Sequence, residues 1–72
     1  MDIQEYVVTR KVGDTTIMVH FSTDDETWDV YYKRPGYPFL YAFGLAYWRV
    51  DCTDDMFKIA EANIPQYEHM FA

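Results

Sequence analysis

Cys52 is the only cysteine in the 72 residues, so no disulfide can form within the chain. Cys52, His20 and His69 also lack the close paired spacing of a structural zinc site, and no metal or other cofactor is expected. Basic residues are scarce: six Lys and Arg stand against twelve Asp and Glu, a net charge of −6. That balance argues against nonspecific binding to nucleic acid or to an anionic membrane, both of which need a positive field. Long hydrophobic runs are missing as well. The most apolar stretch, Pro38 to Trp48, is about half of the ~20 residues a spanning helix requires. The opening Met1-Asp2-Ile3-Gln4-Glu5 has neither a positive n-region nor an apolar h-region, so no signal peptide is expected and the cytoplasm is the expected location. Glycine and proline number three each, and each one therefore stands out as punctuation.

What the chain has in quantity is aromatic surface: seven tyrosines, five phenylalanines and two tryptophans. A single domain of this length sits near the lower limit for unaided folding. Aromatic side chains that each bury roughly 150–250 Å² can supply the core that cross-links do not.

The first half of the chain alternates with period two, the signature of half-buried strands. Ile3 to Val12 and Thr15 to Ser22 flank Gly13-Asp14, a Gly-first pair suited to a type II′ hairpin. With Val12 facing Thr15, Tyr6 meets Phe21, Val8 meets Val19 and Arg10 meets Ile17 on one side. Val7 then meets His20, Thr9 meets Met18 and Lys11 meets Thr16 on the other. A third strand, Thr27 to Lys33, continues both sides after the polar loop Thr23-Asp24-Asp25-Glu26. It sets Trp28, Val30 and Tyr32 on the apolar side, and Asp29, Tyr31 and Lys33 on the mixed side. Arg34-Pro35-Gly36-Tyr37 matches a type II turn.

Beyond this turn two readings compete. As a strand, Phe39, Tyr41 and Phe43 oppose Tyr32, Val30 and Trp28, with Leu40, Ala42, Gly44 and Ala46 on the mixed side. As a helix, Phe39, Phe43 and Tyr47 fall four apart behind Pro38. Aromatic content and Gly44 favour the strand. Thr53-Asp54-Asp55 then opens a helix, with Thr53 as its cap and both acids at the positive end of its dipole. Met56, Phe57, Ala60 and Ile64 form its apolar stripe, Asp54 and Lys58 an i,i+4 pair, and Pro65 ends or kinks it near Asn63. Tyr67, Met70 and Phe71 suggest one more amphipathic turn. The fold expected is α+β: a four-stranded antiparallel meander packed on a C-terminal helix, with a three-stranded sheet plus two helices as the alternative.

The register also sorts charge. Arg10, Lys11, Lys33 and Arg34 flank the two turns at one end of the sheet. Asp24, Asp25 and Glu26 occupy the other end, joined by Asp2 and Glu5 and, at the helix start, by Asp51, Asp54 and Asp55. Short loops and helix starts favour Asp for their own reasons, but such a pole also suits docking on a basic protein. A second candidate surface is the diagonal Val7, Met18, Tyr31 and Leu40 on the face away from the helix, left open unless Trp48 or the Tyr67-to-Phe71 segment folds over it.

Three chemical constellations are weaker. His20 and Asp29 are expected cross-strand neighbours with no nucleophile placed beside them. Cys52 precedes a helix start, where a small buried residue is the commoner outcome. Tyr32 and Tyr37 stand near the basic pole, a thin footprint for stacking on bases. With no phosphate-loop, dinucleotide or nucleophile-elbow motif, no catalytic residue is assigned and the chain is not expected to be an enzyme.

The expected role is that of a protein-binding inhibitor or adaptor docking on a basic partner, such as a nucleic-acid-binding protein. Size and acidity are compatible with small inhibitors carried by phages and mobile elements, a likeness of composition with no motif behind it. The competing expectation is a domain that pairs with a second copy through the sheet face and binds a small ligand.

Overall fold

The computed structural model describes residues 6–72. The first strand's expected start at Ile3, and the places of Asp2 and Glu5, lie outside the described residues. The strands are β1 (Tyr6–Val12), β2 (Thr15–Ser22), β3 (Thr27–Lys33) and β4 (Leu40–Ala46). They form one antiparallel sheet in the order β1-β2-β3-β4, the expected meander. A one-turn 3-10 helix (Tyr47–Arg49), helix α1 (Thr53–Asn63) and a second 3-10 helix (Ile64–Phe71) complete the chain.

The registers of β1 on β2 and of β2 on β3 are those the alternation and loop lengths dictate, from Val12 opposite Thr15 to Ser22 opposite Thr27. Gly13 has φ 59° while Asp14 is not left-handed, as a type II′ turn demands. Gly36 at φ 85° and the hydrogen bond from the Tyr37 N–H to the Arg34 carbonyl (2.9 Å) make the type II turn. Glu26 closes the β2–β3 loop at φ 55°, the one described non-glycine residue with positive φ.

The fourth strand exists, but its register differs from strict alternation. Leu40, not Phe39, opposes Tyr32, because the connection runs on through Pro38, which has no N–H for the ladder. A bulge follows: Tyr41 opposes Tyr31 and Phe43 opposes Val30, so Ala42 is left unpaired. A one-residue shift moves a side chain to the other face. Leu40 therefore lies on the helix side with Tyr32, not in the patch with Val7, Met18 and Tyr31. Tyr41 takes its place on the mixed face. Beyond the bulge the shift is two residues, so Phe43 and Leu45 stay on the helix side opposite Val30 and Trp28.

The core lies wholly on that side. Ile17 and Val19 from β2, and Trp28, Val30 and Tyr32 from β3, are buried against Val50 and against Met56, Phe57 and Ala60 of α1. The residue preceding the helix is Cys52 rather than Thr53, with no side-chain cap bond; Met56 donates to the Cys52 carbonyl at 3.2 Å. Asn63 ends α1, and Pro65 sits in the first turn of the 3-10 helix that follows. That final segment folds under the sheet on the helix side. Tyr67 packs on Tyr32 and Phe43 (centroids 5.8 and 5.5 Å), and Phe71 packs on Tyr37 (5.0 Å).

Candidate binding surface

The helix crosses beneath the sheet from β1 toward β3, and this path redistributes the charges. Its first turn reaches Arg10, whose guanidinium lies 3.0 Å from the Asp54 carboxylate and 4.3 Å from the centre of the Phe57 ring. Asp54 thus pairs across the fold rather than with Lys58, and one cation of the expected basic end joins one carboxylate of the expected acidic end. Arg34 is engaged as well. It bonds Glu68 at 2.6 and 2.7 Å, donates Nε to the Thr15 hydroxyl at 3.0 Å and lies over Phe71. The two tyrosines of that end are also taken. Tyr32 is buried with its hydroxyl on the Ala60 carbonyl, and Tyr37 donates to the Phe71 carbonyl. Lys11 is exposed and Lys33 half-buried.

The remaining acids fall into two groups. Asp24, Asp25 and Glu26 are all exposed in the β2–β3 loop, where the buried Ser22 hydroxyl accepts the Asp25 N–H at 3.4 Å. Asp51 and Asp55 share an open groove with Arg49, Lys58, Val50 and Ile59, so their charge is locally offset. The single acidic pole therefore resolves into a purely acidic loop, a groove of mixed charge and the paired Asp54.

Two features beside the acidic loop escape the alternation pattern. Tyr47 donates its N–H to the Glu26 carbonyl at 2.9 Å, and the buried Trp28 indole donates to the Tyr47 carbonyl at 3.4 Å. These bonds fasten the one-turn helix after β4 to the loop. They leave Tyr47 44 % and Trp48 70 % exposed, with their rings in edge contact at 5.6 Å. The signal in the sequence was only that Tyr47-Trp48 follows the last residue of β4.

The second feature is the open face. α1, the final segment and the core all lie on the other side, and among the described residues neither Trp48 nor Tyr67 to Phe71 covers it. Val7 and Tyr41 are each 55 % exposed there, with Met18 and Tyr31 half-buried between them. Tyr31 and Tyr41 meet edge-on, centroids 5.5 Å apart at 74°. His20 and Asp29 are the cross-strand neighbours expected, with Nδ1 and Oδ2 3.8 Å apart, which is an ion-pair distance and too long for a hydrogen bond. Gly44 lies beside Asp29 in β4. A Cβ there would stand 2.8 Å from Asp29 Oδ1 and 3.1 Å from the Tyr41 hydroxyl, so both polar groups border a bare backbone position. Burial, then the Asp29 charge, pushes the Tyr41 hydroxyl above the ordinary tyrosine range.

Cys52 is exposed, not buried between strand and helix. Among the described residues no three His, Cys, Asp or Glu side chains group as a metal site, and no helix is long and apolar enough to cross a membrane. In comparisons with known proteins, no family model, curated protein or solved structure matches the chain.

Proposed function

We propose that this chain is a small acidic protein-binding module of the cytoplasm, an inhibitor or adaptor that docks on a basic partner through its β2–β3 loop end. The observation that carries the reading is the Tyr47 to Glu26 backbone bond, which ties the one-turn helix bearing the exposed Tyr47 and Trp48 rings to the loop that holds Asp24, Asp25 and Glu26. Aromatic anchors contribute most of the affinity in many interfaces, and a one-signed rim steers and selects the encounter. A tryptophan left largely in water adds little to the fold it stands on, which fits a contact made with something else. The partner's surface is basic in this reading, because the loop offers three carboxylates and the chain as a whole is at −6. Direct contact with nucleic acid fits less well: of the four cations near the turns, Arg10 and Arg34 are bound to carboxylates within the chain.

Affinity capture with the immobilised protein tests this. Wild type is compared with the triple variant Asp24→Lys, Asp25→Lys, Glu26→Lys and with Trp48→Ala, at low and high salt. Partners retained by wild type at low salt should be basic, and should be lost by both variants and by added salt. Retention of the same proteins by the triple variant would sink the reading.

A further inference from the structure

The bulge in β4 costs a ladder position at Ala42, and what it delivers is Tyr41 on the open face. Strict alternation would give that ring to the helix side, where burial stabilises the fold. Instead the ring is 55 % exposed, and its hydroxyl reaches back to the notch above Gly44, where Asp29 Oδ1 also lies. Bulges commonly re-aim a side chain in this way. Any residue larger than glycine at 44 would fill the notch. Among the described residues the Asp29 carboxylate accepts no hydrogen bond, and its ion-pair neighbour is His20 at 3.8 Å.

We infer that Tyr41, Tyr31 and Asp29 form a recognition site for an arginine side chain of the basic partner. The inference rests on the functional reading above and names the group that this face would take. A guanidinium is flat, stacks on an aromatic face and presents a fork of N–H donors to a carboxylate. The site offers one widely exposed tyrosine ring, a second ring at 74° to it, and a carboxylate beside the first ring's hydroxyl. Two walls and one anion suit a planar cation better than a quaternary ammonium, which is held by a more enclosing cage. The other charges on the face give the occupant a direction. Lys11 and Lys33 lie toward the turns, on either side of Thr16, whereas Asp29 lies toward the acidic loop. A basic segment therefore sets its arginine at Asp29 and continues toward Asp24, Asp25 and Glu26.

Amide shifts of the isotope-labelled protein, titrated with an oligo-arginine peptide, test the site. The expected shifts centre on Asp29, Tyr31, Tyr41 and Gly44 and are absent with the matching oligo-citrulline peptide, which keeps the shape and lacks the charge. Asp29→Asn should weaken binding about tenfold, as loss of a charged hydrogen-bond partner does, and Tyr41→Ala about threefold. Gly44→Ala keeps both groups and fills the notch, so it should weaken binding without touching either. Shifts confined to Asp24, Asp25 and Glu26 would overturn the arginine site and leave the acidic-loop reading standing. No shifts anywhere would remove both. Equal affinity for oligo-lysine, or unchanged affinity in Asp29→Asn, would overturn the guanidinium assignment.

Discussion

The Tyr32 hydroxyl donates to the Ala60 carbonyl across 2.6 Å, a buried bond that ties the middle of the sheet to the end of the helix beneath it. Both residues are within the core, with Tyr32 1 % and Ala60 0 % exposed, so water cannot replace either partner. Tyr32→Phe leaves the Ala60 carbonyl without that donor and should cost about 1–2 kcal/mol in denaturant unfolding. An unchanged midpoint would show that the bond contributes nothing net.

The same residue shapes the alkaline limit. Burial, then the neighbouring Tyr67, pushes the Tyr32 hydroxyl from its ordinary 10 up to about 12. Between those values the unfolded chain releases the proton and the folded chain holds it, so stability is fully present below pH 10 and declines as pH rises toward 12. The melting temperature of wild type should fall across that window more steeply than that of Tyr32→Phe. Parallel curves would assign the alkaline loss to other groups.

Arg10 is held by two contacts of unequal worth. Its ion pair with Asp54 is exposed, 75 % on the aspartate side, and such pairs contribute little. Its guanidinium also covers the Phe57 ring at 4.3 Å, shielding a core residue at the edge of the sheet. Arg10→Ala should therefore cost about 1 kcal/mol, and Asp54→Ala no more than about 0.5 kcal/mol. A double-mutant cycle separates the two, and equal losses would mean that the ion pair dominates.

Where local chemistry decided the outcome, the sequence was readable. Gly13-Asp14 and Pro35-Gly36 each fit one turn type, and the two registers they bound agree in every pair from Val12–Thr15 to Ser22–Thr27. The helix stripe Met56, Phe57 and Ala60 is buried as its spacing implies. β4 was harder because strict alternation has no place for a bulge. Its apolar residues at 40, 43 and 45 cannot share one face by period two alone, and that break in spacing was the available signal. It decided the face of Leu40 and Tyr41, hence the makeup of the candidate site. The charge poles failed for a different reason. Strand register places residues along the sheet but says nothing of the direction in which a helix crosses it, and that direction brings Asp54 to Arg10.

Glycine at 13 and 36 is required by backbone conformation alone. At φ 59° and 85° neither position has another atom within 4 Å of an added Cβ, so alanine meets no obstacle in space. Gly13→Ala and Gly36→Ala should each still cost about 1 kcal/mol, because L-residues avoid this region. A loss much larger than this, seen in thermal melts, would point to a tertiary role for the turn.

Self-pairing through the open face sets up the last test. A two-fold pair would bring the same face of two chains together and would have to take Asp29 and Lys33 out of water along with Tyr31 and Met18. Interface centres are depleted in such charges, and two chains at −6 also repel one another. Size-exclusion chromatography with light scattering should therefore return the mass of a single chain at low and high salt. Tyr31→Ala should leave that mass unchanged. A wild-type dimer that Tyr31→Ala dissociates would give the face to a second copy and take it from an arginine-bearing partner, because the same rings cannot serve both at once.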